Sequence, residues 1–403
     1  MFKRDKYLKQ LIDKKNNHLI KVITGIRRSG KSYLLNEIFY NHLLLDENID
    51  KKHIIKFAFD IDEDIALLDK YLIEEPTIKI VNGQKLVNNR KFLLYIKDLI
   101  IDENKYYLLL DEIQNLDDFV RVLNGFLRHN NYDTYVTGSN SYLLSSNIDT
   151  EFGGRSSRVH ILPLTFLEYL TGVEKEINSA FKEYERYGGI PLVQLQNNDE
   201  DKVVQANSIY KDTYLNDVIK RHPKVEINNL NGTLKVVASM ISTLTNPTKI
   251  ENTFNSQYRI NLSNNVIGNY IDWFEDAFLL NKVLRYDIKG RKYIGSPYKI
   301  YFEDIGIRNA ILNYREIDET DIIENIVYNE LRYRGFNVDV GVVTVKEKTD
   351  KLDKNNKIIY VDKQKECDFV ANKGDKTYYV QVALEILDEE KKESRICFYT
   401  KYS

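Results

Sequence analysis

The sequence predicts an α/β chain: a parallel-sheet domain organised around a glycine loop, then a helical domain with a hairpin, then a smaller α/β domain. Three observations carry this. Gly25-Ile26-Arg27-Arg28-Ser29-Gly30-Lys31-Ser32 fits G-x-x-x-x-G-K-[ST] and stands between a β-type run and a helical pattern. Strand-like and helix-like segments then alternate to about residue 160, the rhythm of strands joined by crossover helices. From Pro163 the rhythm gives way to helices, one hairpin-like pair and finally alternating strands.

Bulk properties agree. A chain of 403 residues is too long for one ordinary core, so two or three domains are expected. With 43% hydrophobic and 29% charged residues the composition is globular. A net charge of −2 excludes a global basic field for nucleic acid and leaves only local patches. Cys367 and Cys397 form no zinc pattern and no disulfide framework, which suits a reducing cytosol. No apolar run approaches the roughly 20 residues that span a bilayer, and the charged N-terminus has no signal-peptide core. A soluble cytoplasmic protein is expected.

Residues 2–15 read as an entry helix with a stripe of Tyr7, Leu8, Leu11 and Ile12. Strands are expected at 19–24, 54–59, 107–110, 134–136 and near 158–162, and a helix through Phe119, Leu123, Phe126 and Leu127. Thr165 to Leu170 reads as a short helix and Gly188-Gly189-Ile190-Pro191 as a break, so the first domain is placed at 1–195. A second domain, 196–315, holds a helix near 233–245, a helix start at Asn246-Pro247, a long helix from about 263 to 281, and strands 282–286 and 292–294 around a turn. Three helices and a hairpin make it winged-helix-like. The third, 316–403, opens with a helix through Ile323, Ile326, Val327 and Leu331. Strands follow at 338–345, 358–361, 369–370 and 378–382, with a polar loop or turn at 346–357.

The glycine loop curls so that backbone N–H groups point inward, and the following helix adds its positive end. The expected nucleotide-binding set is Gly25, Arg28, Ser29, Gly30, Lys31, Ser32 and Tyr33. Lys31 reaches the β- and γ-phosphates and the Ser32 hydroxyl ligates Mg²⁺. Tyr107-Leu108-Leu109-Leu110-Asp111-Glu112, an apolar strand ending in two acids, has the Walker B form. Asp111 would hold Mg²⁺ and Glu112 polarise the attacking water; the plainer alternative makes Asp111 a helix cap. Thr137-Gly138-Ser139-Asn140 should end a neighbouring strand, where a hydroxyl or the Asn140 amide orients that water, or Gly138-Ser139-Asn140 is simply a turn with a cap. Arg155 is the candidate cation for the transition state, with Arg158 second; either also reads as a surface arginine or ion-pair partner.

These motifs, extended by Tyr33-Leu34-Leu35 and Ile113-Gln114 and joined by Gly154-Arg155 and Leu162-Pro163-Leu164-Thr165-Phe166-Leu167-Glu168-Tyr169, resemble the archaeal and bacterial AAA-type ATPases. The resemblance spans nearly the whole chain. It implies ATP as the nucleotide, a Mg²⁺-dependent ATPase fold, and a C-terminal region with a winged helix and a restriction-endonuclease-like module.

Two further features concern partners. Between 281 and 300, Lys282, Arg285, Lys289, Arg291, Lys292 and Lys299 face one acid, Asp287, a local net of +5 (six bases less one acid). Asn264, Asn265 and Asn269 begin the preceding helix, where amides read bases. The stretch reads either as a DNA contact or as a solvated wing of a packing module. In the third domain Glu324, Glu330, Asp368 and Gln381-Val382-Ala383 follow the restriction-endonuclease-like layout. Gln381 replaces the last acid and Ala383 the lysine, so cleavage is not expected. Similar proteins continue past Ser403, so this module is expected to be truncated and non-catalytic. The reading is therefore ATP hydrolysis coupled to rearrangement of the C-terminal modules, with a second copy of the chain as a candidate partner in a homo-oligomer. The alternatives are an ATP-liganded DNA-binding regulator and, behind it, a nuclease.

Overall fold

The structure, a computed structural model, describes residues 2–81, 83–138, 152–315, 318–352 and 358–383. It divides into two compact units, Met1–Pro163 with Asp276–Phe278, and Leu164–Glu275 with Leu279–Ser403. The division falls earlier than residue 195. The segment after Pro163 packs on the helices that follow it: Phe166 meets Phe181 and Tyr184, and the Tyr184 hydroxyl donates to Leu164 O at 2.7 Å.

In the first unit α1 (Asp5–Asp13) buries Tyr7 and Leu11 and precedes β1 (Ile20–Thr24). Helix α2 opens at Lys31–Tyr33 and continues with wider turns through Leu34–Phe39. Then come β2 (Ile54–Ala58), α3 (Asp62–Ala66), a hairpin of β3 (Ile78–Val81) and β4 (Gln84–Val87), and α4 (Asn89–Leu99). β5 (Tyr106–Asp111), α5 (Phe119–Phe126), β6 (Tyr132–Thr137) and β7 (Ser156–His160) complete it. All five expected strands are present, parallel, in the order β2-β5-β6-β1-β7. β5 is buried along its whole length, which its run of Tyr and Leu requires of a strand covered on both faces. Parallel pairing brings the carboxyl ends of β1, β2, β5 and β6 to one edge, where such sheets bind ligands. Within the sheet Lys21 and Asp133 pair out of water, with Tyr135 Oη also donating to Asp133 at 2.9 Å.

The second unit begins with α6 (Phe166–Leu170), which carries a capping box of Thr165 and Glu168. α7 (Ile177–Tyr187), α8 (Pro191–Gln194), α9 (Asp199–Ser208) and α10 (Asn216–Arg221) follow. α11 (Ile227–Ser239) starts and ends about six residues before the expected helix. Its continuation is drawn into extended pairing, Thr245 bridging Tyr298. α12 (Pro247–Tyr258) begins where Asn246-Pro247 placed it, with Asn246 as cap. α13 (Asn264–Asp276) stops short because β8 (Leu280–Asp287) begins, and β9 (Lys292–Phe302) runs longer than the hairpin arm expected. After α14 (Ile305–Ile311) and α15 (Glu319–Tyr333) come β10 (Asn337–Leu352), β11 (Ile358–Lys373) and β12 (Lys376–Val380). β10 extends into what was expected as a loop, and the two short strands around 358–370 are one. These strands form a single sheet, β12-β11-β10-β8-β9, with β10 parallel to β8. The hairpin of the second expected domain thus belongs to the sheet of the third.

Asp304, fully buried, explains the break at Gly188-Gly189. Its carboxylate accepts from Gly189 N at 2.7 Å and Ile307 N at 2.9 Å, tying the end of α7 to the start of α14. Gly188 has φ +72°, and a Cβ there would lie 2.4 Å from Asp304 Oδ1. Burial pushes the Asp304 carboxyl up to about 6 despite its backbone N–H donors. Because the folded value is raised, this group favours folding most below its unfolded value near 3.8, and that favour is lost as pH rises through about 6. The stability of wild type relative to Asp304→Asn should therefore fall by about 3 kcal/mol between pH 3.5 and pH 7, measured by urea denaturation.

Candidate active site

The loop between β1 and α2 is shaped by close contact. Gly25 has φ +142°, and a Cβ on it would lie 2.2 Å from Ile161 O, so no other residue fits without moving the chain beyond β7. Gly30, at φ 95°, turns the loop into α2. Lys31 is buried, and its ammonium donates to Gly25 O and Ile26 O, each at 3.0 Å. The Ser29 hydroxyl is buried in the loop with no hydrogen-bond partner among the described residues. Arg28 points outward and Ser32 is exposed at the mouth; Tyr33 is half-buried in the first turn of α2.

Asp111, at the end of β5, is the meeting point. Its Oδ1 accepts from Ser32 Oγ at 3.1 Å and from Thr137 Oγ1, and its Oδ2 from Asn36 Nδ2 at 3.1 Å. A carboxylate so engaged is no helix cap. Thr137 ends β6, the strand between β1 and β5, and its Oγ1 also accepts from Glu112 N at 3.0 Å. One hydroxyl therefore sets both acids. Burial holds the Asp111 carboxyl above its usual range, and hydrogen bonds from Thr137 and Ser32 offset this only in part. Asp60, just past β2, is likewise raised, by burial first and then by the charges of Glu112 and Asp111, with Arg27 opposing. The acid-rich edge beside a lysine and a hydroxyl fits a divalent cation with a polyphosphate: Ser32 and Asp111 supply hard oxygen ligands, and a cation would relieve the crowded carboxylates. Asp60, Asn36 and Thr137 were not assigned from sequence; an acid closing an apolar strand was the available signal for Asp60.

Asn140 lies outside the described residues. Arg155 is exposed, and its Nε donates to Phe152 O at 2.9 Å and its Nη2 to Asn124 Oδ1 at 3.3 Å, so its hydrogen bonds are to its own turn and α5. Arg158 pairs with Val22 in mid-strand, away from the strand ends.

Residues 17–170 match the AAA domain family, and residues 178–318 match a domain of unknown function. An uncharacterized protein of Haemophilus influenzae is 33% identical over 391 residues, covering 96% of this chain and 88% of its own length. The chain belongs to the AAA-type ATPase family. A second uncharacterized protein, from Methanocaldococcus jannaschii, is 27% identical over 349 residues, 83% of this chain and 71% of its own. A Walker-type ATPase of Pyrococcus abyssi shares the fold, with a TM-score of 0.52 at 15% identity over 77% of this chain and 96% of that one. Among the described residues no helix is long and apolar enough to cross a membrane.

In this chain the basic stretch divides in two. Lys282 pairs with Asp272 at 2.5 Å and Glu275 at 3.1 Å. Arg285 is buried against Pro297 O and Ser296 O, and Lys299 is buried among acids. Only Lys289, Arg291 and Lys292, around the turn, stay outward, with Lys289 Nζ also reaching Thr344 O at 3.3 Å. Asn264, Asn265 and Asn269 are exposed, but Asp272 shares that side. The restriction-endonuclease-like residues converge in part. Lys299 of β9 lies 2.9 Å from Glu324, 2.6 Å from Glu366 and 4.0 Å from Asp368, and Gln381 Nε2 donates to Asp368 at 2.5 Å. Glu330 instead pairs with Arg334. An ammonium from the hairpin thus supplies these carboxylates with an internal counter-charge.

Thr137→Val removes the hydroxyl that serves both acids while keeping the shape. It should cost about 1–3 kcal/mol of stability and lower any phosphate release at least about tenfold. Denaturant unfolding and a phosphate-release assay check the two effects.

Proposed function

We propose that this ATPase binds Mg²⁺-ATP at the loop of residues 25–32, hydrolyses it, and couples hydrolysis to rearrangement of its C-terminal modules in the cytoplasm. The observation that carries the reading is the convergence of Ser32, Asn36 and Thr137 on Asp111, which joins loop, α2 and two strand ends at one carboxylate. The backbone of Gly25, Arg28, Ser29, Gly30, Lys31, Ser32 and Tyr33 binds the phosphates, and Lys31 donates to the β- and γ-oxygens. Ser32 and Asp111 hold the magnesium ion, which when bound neutralises charge on the transferred phosphoryl group. Glu112 accepts the proton of the attacking water. Asn140 orients that water. Arg155, exposed at its own surface, serves as the cation for a second copy of the chain, which makes the working form a homo-oligomer. The three helices α11, α12 and α13 with β8 and β9 are read as a winged helix, and α15 with β10 to β12 as a restriction-endonuclease-like module without cleavage.

A second reading, duplex DNA bound through the β8–β9 turn, is favoured by one observation: Arg291 and Lys292 are exposed at its tip. The first reading ranks ahead because Lys282 and Lys299 are paired with acids and Arg285 is buried against backbone carbonyls.

Lys31→Ala should abolish binding of a fluorescent ATP analogue, whereas Glu112→Gln should bind it normally and release no phosphate. Unchanged phosphate release in both purified variants refutes the assignment. For DNA, the Arg291→Ala, Lys292→Ala double variant should lower duplex affinity and reduce the slope of log affinity against log salt by about 1.8, from two lost phosphate contacts. No measurable wild-type binding at low salt removes that reading.

A further inference from the structure

Glu112 has a neighbour two residues on, inside the 110–114 stretch that carries the family resemblance, to which the motif assigns no role. Gln114 Nε2 donates a hydrogen bond to Glu112 Oε2. Two residues apart on a regular helix, these side chains would not face each other. They meet here because Glu112 takes the left-handed conformation, φ 51° and ψ 50°, and the chain then turns tightly through Ile113–Asn115. Asn115 N donates to Glu112 O and Leu116 N to Ile113 O, each at 3.0 Å, closing that turn.

The turn is also pinned from outside. Leu116 bridges Val87 at the end of β4, and Asp117 N donates to Val87 O at 2.9 Å. Lys79 of β3 pairs with Asp117 at 3.2 Å. Ile113 and Leu116 are both buried. The amide of Gln114 is therefore carried on a piece of chain that cannot shift without breaking its ties to the hairpin.

The orientation of the amide is informative. Its carbonyl Oε1 is buried and has no hydrogen-bond partner among the described residues. Leaving a buried acceptor unpaired is unfavourable, and packing alone would be served as well by an apolar side chain of the same length. What an apolar side chain cannot supply is a donor to an ionised carboxylate.

We propose that Gln114 is a positioning residue for hydrolysis: its side-chain amide, held on the pinned turn, fixes the direction in which the Glu112 carboxylate points. This rests on Glu112 being the group that takes the proton from the attacking water. A fixed donor on the carboxylate removes a rotational choice from the step. Gln114 acts through Glu112, so its effect falls on turnover and not on binding.

The test uses the full-length chain and steady-state phosphate release. Gln114→Met keeps length and apolar contact but has no donor. It should lower kcat about tenfold or more while the KM for ATP stays within about twofold of wild type. Binding of a fluorescent ATP analogue should be unchanged. Gln114→Glu, of the same length, places an acceptor against the carboxylate and should lower kcat at least as far. If the methionine variant does not fold, the glutamate variant decides. An unchanged or raised kcat, or a loss that falls on KM and analogue binding, overturns the assignment. Failure of the underlying reading looks different: wild type releases no phosphate, or Glu112→Gln releases it as fast as wild type, and Gln114 then has no step to position.

Discussion

Asp111 is a carboxylate removed from water at the end of a buried strand, and much of the first unit serves to make that tolerable. Burial alone favours its neutral form. Three side-chain donors, from α2 and β6, keep the ionised form within reach. Each donor is placed by a different piece of backbone. Ser32 depends on the turn at Gly30, Asn36 on the continuation of α2, and Thr137 on β6 lying between β1 and β5. The sheet order is therefore part of the site's chemistry. Were β6 and β5 to slip by one residue, Thr137 would point to the other face and both acids would lose their shared hydroxyl.

The second unit solves a similar problem with different means. Asp304 is buried without a cation and relies on backbone N–H groups at the break after α7 and the start of α14. Lys299 is the reverse case, an ammonium surrounded by carboxylates, with Tyr301 Oη donating to the same Glu324 oxygen at 2.6 Å. Removing one partner of such a buried group costs more than the pair contributes, because the other is left uncompensated. Residues that resemble parts of a metal site can thus be retained as an internal ion cluster.

Much of this was legible in the chain. The five strands announce themselves as short apolar runs, and Asn246-Pro247 marks a helix start by cap and ring chemistry that needs no tertiary context. α4 was legible too, in Asn88 followed by Phe92, Tyr95, Ile96 and Leu99 at helical spacing, although it was not read. The β3–β4 hairpin was not, since most of its side chains are exposed and leave no alternation. Lys299 misled for a physical reason: charge counted along the sequence cannot distinguish a lysine in solvent from one turned into a core of acids. Thr137 and Gln114 stand inside visible motifs, but that Thr137 and Asn36 meet Asp111, and that Gln114 meets Glu112, depends on strand register and on one left-handed residue.

The sheet of the second unit carries a mechanical consequence. Because β8 pairs with β10 through Arg285–Val340, Gly341–Tyr286 and Val342–Asp287, the arm bearing Arg291 is bonded sideways to the long ribbon of β10 and β11. Swinging the arm alone would strip those rungs in shear, the direction in which a ladder yields last. A displacement felt at Arg291 is therefore passed through those rungs to β10, and from β10 to β11 and β12 along the same sheet.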